Sequence, residues 1–159
     1  MAVLSDETWK RHANPWSVWT RYAAFPVLIA AIWSRAWLGW WALAPIGLTI
    51  AWLAYNPRAF PPPASTDNWA SKAVLGERIW VALQRDEVPA RHRIVPGVAA
   101  GISMAGLPFL AWGLIAFDLA ITALGAVVVM LAKTWFVDRM VWLFEDMKDQ
   151  RPEYRSWLY

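Results

Sequence analysis

Two basic residues, Arg21 and Lys133, each border an apolar run long enough to matter for a membrane. A guanidinium and an ammonium at one depth suit a phosphate or other anionic headgroup. The first offers a fixed fork of donors, the second a compact point charge. Arg139, six residues beyond Lys133, is a third candidate for the same task. Asp138 and Glu145 stand seven apart, on roughly one helix face, and are the acids that proton transfer would need. His12 and His92 make a weak metal set with those two acids, since imidazole and carboxylate suit zinc or iron. The histidines are eighty residues apart, however, and nothing local has ligand spacing. The plainer alternative for the whole cluster is snorkelling bases, anionic-lipid contacts and solvated helix surfaces.

Much chemistry is excluded. The chain has no cysteine, which removes disulfides, thiolate metal sites and thiol nucleophiles together. Two histidines outside the apolar runs supply neither histidine boxes nor a haem held between spans. No acid falls in the middle of an apolar run, as a small proton-coupled exporter would require. Ser103, within GISMAG, has no histidine at its depth. Glycine-rich phosphate loops and HExxH motifs are absent, and no cofactor is singled out.

The elements that must position these residues are helical. The apolar fraction is 58% and the charged fraction 17%, unlike the ~25% charged residues of soluble domains. Between Arg35 and Arg58 lie 22 residues without a charge, and between Arg93 and Asp118 another 24. Either run exceeds the ~20 residues that cross a bilayer as a helix. Residues 22–34 and 119–132 are shorter apolar runs with aromatic extensions, and become full spans if Arg21 and Lys133 snorkel or face the bundle. The expectation is therefore all-α: one membrane domain over 1–159, with transmembrane helices at about 16–34, 38–55, 94–115 and 119–145. They form two hairpins, joined by a loop over 56–93 that carries an amphipathic helix. Two spans with re-entrant short runs is the alternative. The acid-and-base-bearing start, MAVLSDETWK, predicts no cleaved signal.

With the hairpin turns on one side, that side holds only Arg35, and the other fourteen lysines and arginines lie opposite. The positive-inside rule then places both termini and the central loop in the cytoplasm, with the chain in the inner membrane. The same asymmetry explains the basic charge without nucleic acid. Trp33, Trp37, Trp40 and Trp41 fall at the first turn, where indoles form an interface belt. A ligand cage with Arg35 stacked on them is the competing reading.

In the loop, Pro57 and Pro61 to Pro63 predict an extended exit. Ser65, Thr66 or Asp67 caps the helix that follows. Its apolar face is Trp69, Ala73, Gly76, Trp80 and Leu83, with Lys72, Glu77 and Arg78 off it. Such a helix either lies in the interfacial plane or docks beneath the bundle. Gly97, Gly101 and Ala105 form a small-residue ridge for close helix packing.

The blocks NPWSVWTR (14–21), WSRAWLGWW (33–41), NPRAFPPP (56–63), NWASKAVLGER (68–78) and DRMVWLFEDM (138–147) cover most of the chain's length. On them the chain resembles a family of small, tryptophan-rich bacterial and archaeal membrane proteins classed only as a domain of unknown function. That resemblance implies no activity and carries over no functional residue. The leading expectation is a non-enzymatic membrane protein, either a homo-oligomer or a subunit of a larger membrane complex. A binder of a lipid, quinone or tetrapyrrole comes second, and an enzyme acting on a lipid headgroup third.

Overall fold

The computed structural model describes residues 4–83 and 87–159, and among them all regular structure is helical. The elements are α1 (Asp6–His12), α2 (Pro15–Trp33), α3 (Arg35–Leu38), a 3-10 turn (Gly39–Ala42), α4 (Leu43–Ala59), α5 (Trp69–Ala82), α6 (Ala90–Arg93), α7 (Val95–Ala116), α8 (Leu119–Met147) and α9 (Pro152–Ser156). Three stretches are long and apolar enough to cross a membrane: Pro15–Ala59, Ala90–Ala116 and Leu119–Met147. The first is broken over Ser34–Ala42, so its 45 residues do not form one rod.

Local chemistry sets the helix starts. The Asn14 side chain accepts from Trp16 N, with Pro15 in the first turn, where its missing N–H costs nothing. Asp118 caps α8 through Ile121 N. The cap of α5 is Asn68, through Ser71 N, rather than the expected Ser65, Thr66 or Asp67. Those hydroxyls are taken elsewhere: Ser65 donates to Tyr159 O, and Thr66 donates to Trp157 O. Helix α4 runs through Pro57 to Ala59, and only from Phe60 is the chain extended. A proline in the last turn forfeits a single helical bond. Asn56 just before it is anchored by Ser17 Oγ, which donates to its Oδ1 at 2.7 Å, and donates in turn to Thr20 Oγ1 at 2.8 Å. These bonds lay the end of α4 against the start of α2.

The core lies at one end. Trp9, Ala13, Val74, Leu75, Ile79, Met140, Leu143, Phe144 and Tyr154 gather where α1, α5, the second half of α8 and α9 meet. Helix α5 makes its closest approach to α8 at Gly76, beside the buried Ala70 and Ala73, while Trp69 and Trp80 pack at the edge of the core and Trp69 bonds to Asp138. Gly76 is what allows this, because a Cβ there would run into the Met140 carbonyl. At the other end, α2, α4, α7 and the first half of α8 expose large apolar side chains such as Leu48, Ile115 and Leu131.

The small-residue ridge is a correction. Gly97 and Gly101 meet nothing, and with Ala105 they face outward. The close seam between α7 and α8 uses other glycines. Gly113 lies against the Thr122 backbone and Gly125 against that of Leu110. Four-residue spacing located small residues but not the side of the helix that has a partner.

Arg35 also differs from expectation. It stacks over Phe117, 4.2 Å from the ring centroid, and not on the tryptophans. Its guanidinium donates to the Leu114 and Ile115 carbonyls at the end of α7. Phe117 is left-handed, φ 55°, a conformation costly for an aromatic residue, and the edge of Trp33 holds its other side. Trp33 thus belongs to this joint, while Trp37, Trp40 and Trp41 remain 70%, 87% and 80% exposed.

Gly76→Ala is expected to lower the melting temperature in detergent by several degrees, a loss of about 1–3 kcal/mol from overpacking. Gly101→Ala, with open space around it, should leave melting unchanged or slightly raised. Circular dichroism on the two variants checks the contrast.

Candidate functional site

Arg21 on α2 and Lys133 on α8 come together. With Tyr22 they line two adjoining cavities, one between α2, α5 and α8 and the other between α2, α4 and α8. One, of about 80 Å³, is closed off by Ala73, Glu77, Phe136 and Met140. The other, of about 140 Å³, is walled by Phe25, Leu28, Leu53, Val129 and Met130. The two bases line both cavities; the larger is otherwise apolar apart from Tyr22, and the smaller adds Glu77 from α5.

The polar groups in this cleft are largely uncommitted. Arg21 Nε donates to Ser17 O at 3.1 Å. Among the described residues, neither Arg21 nor Lys133 has a carboxylate within ion-pair distance. The Tyr22 hydroxyl is buried without a hydrogen-bond partner, and the Thr134 hydroxyl beside it donates instead to Met130 O. Glu77 is close enough for its charge to act on both bases without touching either. Two donors of unit charge, one phenol and a greasy annex can together hold the charged end of an amphiphile.

Behind Arg21 runs a buried polar chain that connects α1, α2 and α4. His12 Nδ1 lies 3.3 Å from Ser17 Oγ, which donates to Asn56. His12, Ser17 and Asn56 are all buried. Burial first, then the charges of Arg21 and Lys133, push the His12 imidazole down to about 3. It is therefore neutral near pH 7, and Nδ1 can donate to Ser17.

The other candidates sit apart from the cleft. Arg139 lines neither cavity; it pairs with Asp138 at 3.4 Å and stacks over Trp142. Asp138 also accepts from Trp69 Nε1 at 3.2 Å. Glu145 bridges Lys72, at 2.7 Å, and Lys148. Hydrogen bonds to Asp67 and then Glu145 push the Lys72 ammonium up and keep it charged. Both proposed acids thus fasten α5 to α8 or brace α8 itself. His92 Nε2 meets Asp146 at 2.5 Å, with Arg91 on the same carboxylate. The four residues of the weak metal set consequently occupy separate networks. Among the described residues no three metal-capable side chains converge.

Sequence reasoning found the two bases but missed Tyr22, Glu77 and the His12–Ser17–Asn56 chain. Ser17, Thr20 and Arg21 at i, i+3 and i+4 were a usable signal for a polar face on α2. Placed off the apolar face of α5, Glu77 is not assigned to the cleft by spacing alone, which does not show how closely Gly76 lets α8 approach.

Lowering pH should reveal His12. Its folded-state value lies below the unfolded value of 6.5, so between about 6.5 and 3 the unfolded chain binds the extra proton. Stability is then full above pH 6.5 and falls as pH drops towards 3, by up to ~1.4 kcal/mol per unit from this group. His12→Gln should flatten that part of the melting-temperature profile relative to wild type.

The sequence matches a family described as a family of unknown function (DUF6653) over residues 2–156, and the chain belongs to that family. No curated protein and no solved structure matches it.

Proposed function

We propose that this DUF6653 protein is a four-span membrane protein that binds an amphiphile through a phosphate or other anionic group of its head, without chemically altering it. In this reading α2, α4, α7 and α8 are the spans, in two hairpins, and α1, α5 and α9 form a cap on the cytoplasmic side of the inner membrane. Supporting the topology are the hydrogen bonds between the start of α2 and the end of α4, and the near-total segregation of lysine and arginine. Trp37, Trp40 and Trp41, exposed at the opposite end, suit an interface belt.

One observation carries the binding reading: Arg21 and Lys133 share a cleft whose walls are otherwise mostly apolar, and neither has an ion-pair partner there. Arg21 is half-buried and Lys133 is exposed, so both bases can be reached from outside the cleft. An anionic headgroup with its chain along Phe25, Leu28 and Leu53 would give both charges a partner. The catalytic alternative has less support, because Asp138 and Glu145 are engaged in fastening helices. A second reading, assembly with further copies or other subunits, draws on the outward ridge of Gly97, Gly101 and Ala105.

Native mass spectrometry after gentle extraction tests this. The wild-type protein should carry a discrete amphiphile mass, and Arg21→Gln with Lys133→Gln should lose it. Charge-assisted bonds of ~1.5–3 kcal/mol each imply, for the two together, a drop in affinity of at least about a hundredfold. Arg139→Gln should retain the ligand. A clean homo-oligomer or companion subunits with no added mass would refute ligand binding and favour assembly.

A further inference from the structure

Glu77 lines the smaller cavity together with the two bases, and among the described residues nothing neutralises it by contact. Its neighbours on α5 are fully engaged: Lys72 with Asp67 and Glu145, Arg78 with Asp6 and the Trp157 ring. Glu77 makes no ion pair or side-chain hydrogen bond among the described residues, although it faces Arg21 and Lys133 across the smaller cavity. Its position is fixed by the residue before it, since Gly76 lies directly against the α8 backbone. A carboxylate held in place, half-buried and uncommitted, is an acceptor awaiting a donor.

We infer that the amphiphile is zwitterionic: a phosphate diester carrying a primary ammonium on a short arm, with the phosphate at Arg21, Lys133 and the Tyr22 hydroxyl and the ammonium at Glu77. This rests on the headgroup-binding reading above and specifies it. Across the two cavities the groups are apolar walls in the larger, the bases in both and Glu77 in the smaller. An aminophospholipid presents the complementary order of chain, phosphate and ammonium. An anionic lipid such as phosphatidylglycerol would set the same phosphate on the bases but offer Glu77 only neutral hydroxyls, with no positive charge to offset its carboxylate. A trimethylammonium would neutralise it but has no N–H to donate, whereas a primary ammonium has three.

The test exposes the full-length protein in detergent to equimolar phosphatidylethanolamine, phosphatidylglycerol and phosphatidylcholine, with bound lipid read by native mass spectrometry. Wild type should hold phosphatidylethanolamine at least about tenfold over either competitor. Glu77→Gln should bring the three near parity while total bound lipid stays, and Glu77→Asp should keep most of the preference. Arg21→Gln with Lys133→Gln should lose all three. Preference for phosphatidylglycerol in wild type, or an unchanged preference in Glu77→Gln, would overturn the zwitterion and leave headgroup binding standing. Wild type holding no more lipid than the double variant would overturn both. In a second arm, soluble phosphoethanolamine is added to delipidated protein. Weak binding that Glu77→Gln abolishes supports the assignment, with the acyl chain supplying the remaining affinity. Binding as tight as that of the lipid would overturn the lipid source and leave the free phosphoamine as ligand.

Discussion

The point on which the polar half of the molecule depends is the crossing of α5 over α8, where Gly76 lies against the Met140 carbonyl. No larger residue permits that separation, and once the helices are this close the rest is constrained. Ile79, Leu143 and Phe144 interlock behind the crossing with essentially no exposure, and α1 and α9 close over them. Lys72 then reaches Glu145, and Trp69 reaches Asp138. The same approach carries Glu77 into the cavity beneath Arg21 and Lys133. A residue type chosen for the absence of a side chain thereby positions the most consequential side chain beside it.

The two long helical pairs use opposite means of holding together. Helices α7 and α8 rely on bare backbone, with Gly113 and Gly125 admitting their neighbours to van der Waals contact, as apolar surroundings favour. Helices α2 and α4 rely on polar pins, with Ser17 and Thr20 bonded to Asn56 at 2.7 and 2.8 Å. Between the pairs direct contact is sparse, and the cleft with its two bases occupies that gap.

How much of this could be read in advance follows from the range of each interaction. Charge-free runs locate α2, α4, α7 and α8 to within a few residues, because the exclusion of charge acts along the chain itself. That Arg21 and Lys133 come near each other was legible for the same reason, as a count from two turns. Faces were harder. On α5 the expected face of Trp69, Ala73, Gly76, Trp80 and Leu83 does pack, but its small members make the closest approach, since tight helix contact buries what is small. Arg35 could be placed at a turn yet not assigned to Phe117 and the carbonyls of α7, some eighty residues away. Asn68 rather than Ser65 or Thr66 caps α5 because those hydroxyls are drawn to Tyr159 and Trp157, a tertiary demand that no local rule contains.

The joint at Arg35 has a mechanical consequence. It ties the α2 end of one pair to the α7 end of the other, while α5 and its salt bridges bind the molecule together at the opposite extremity. Fastened at both ends, the two pairs are held together by their extremities and not by their middles, where the cavity walled by Phe25, Leu28, Leu53, Val129 and Met130 lies between them.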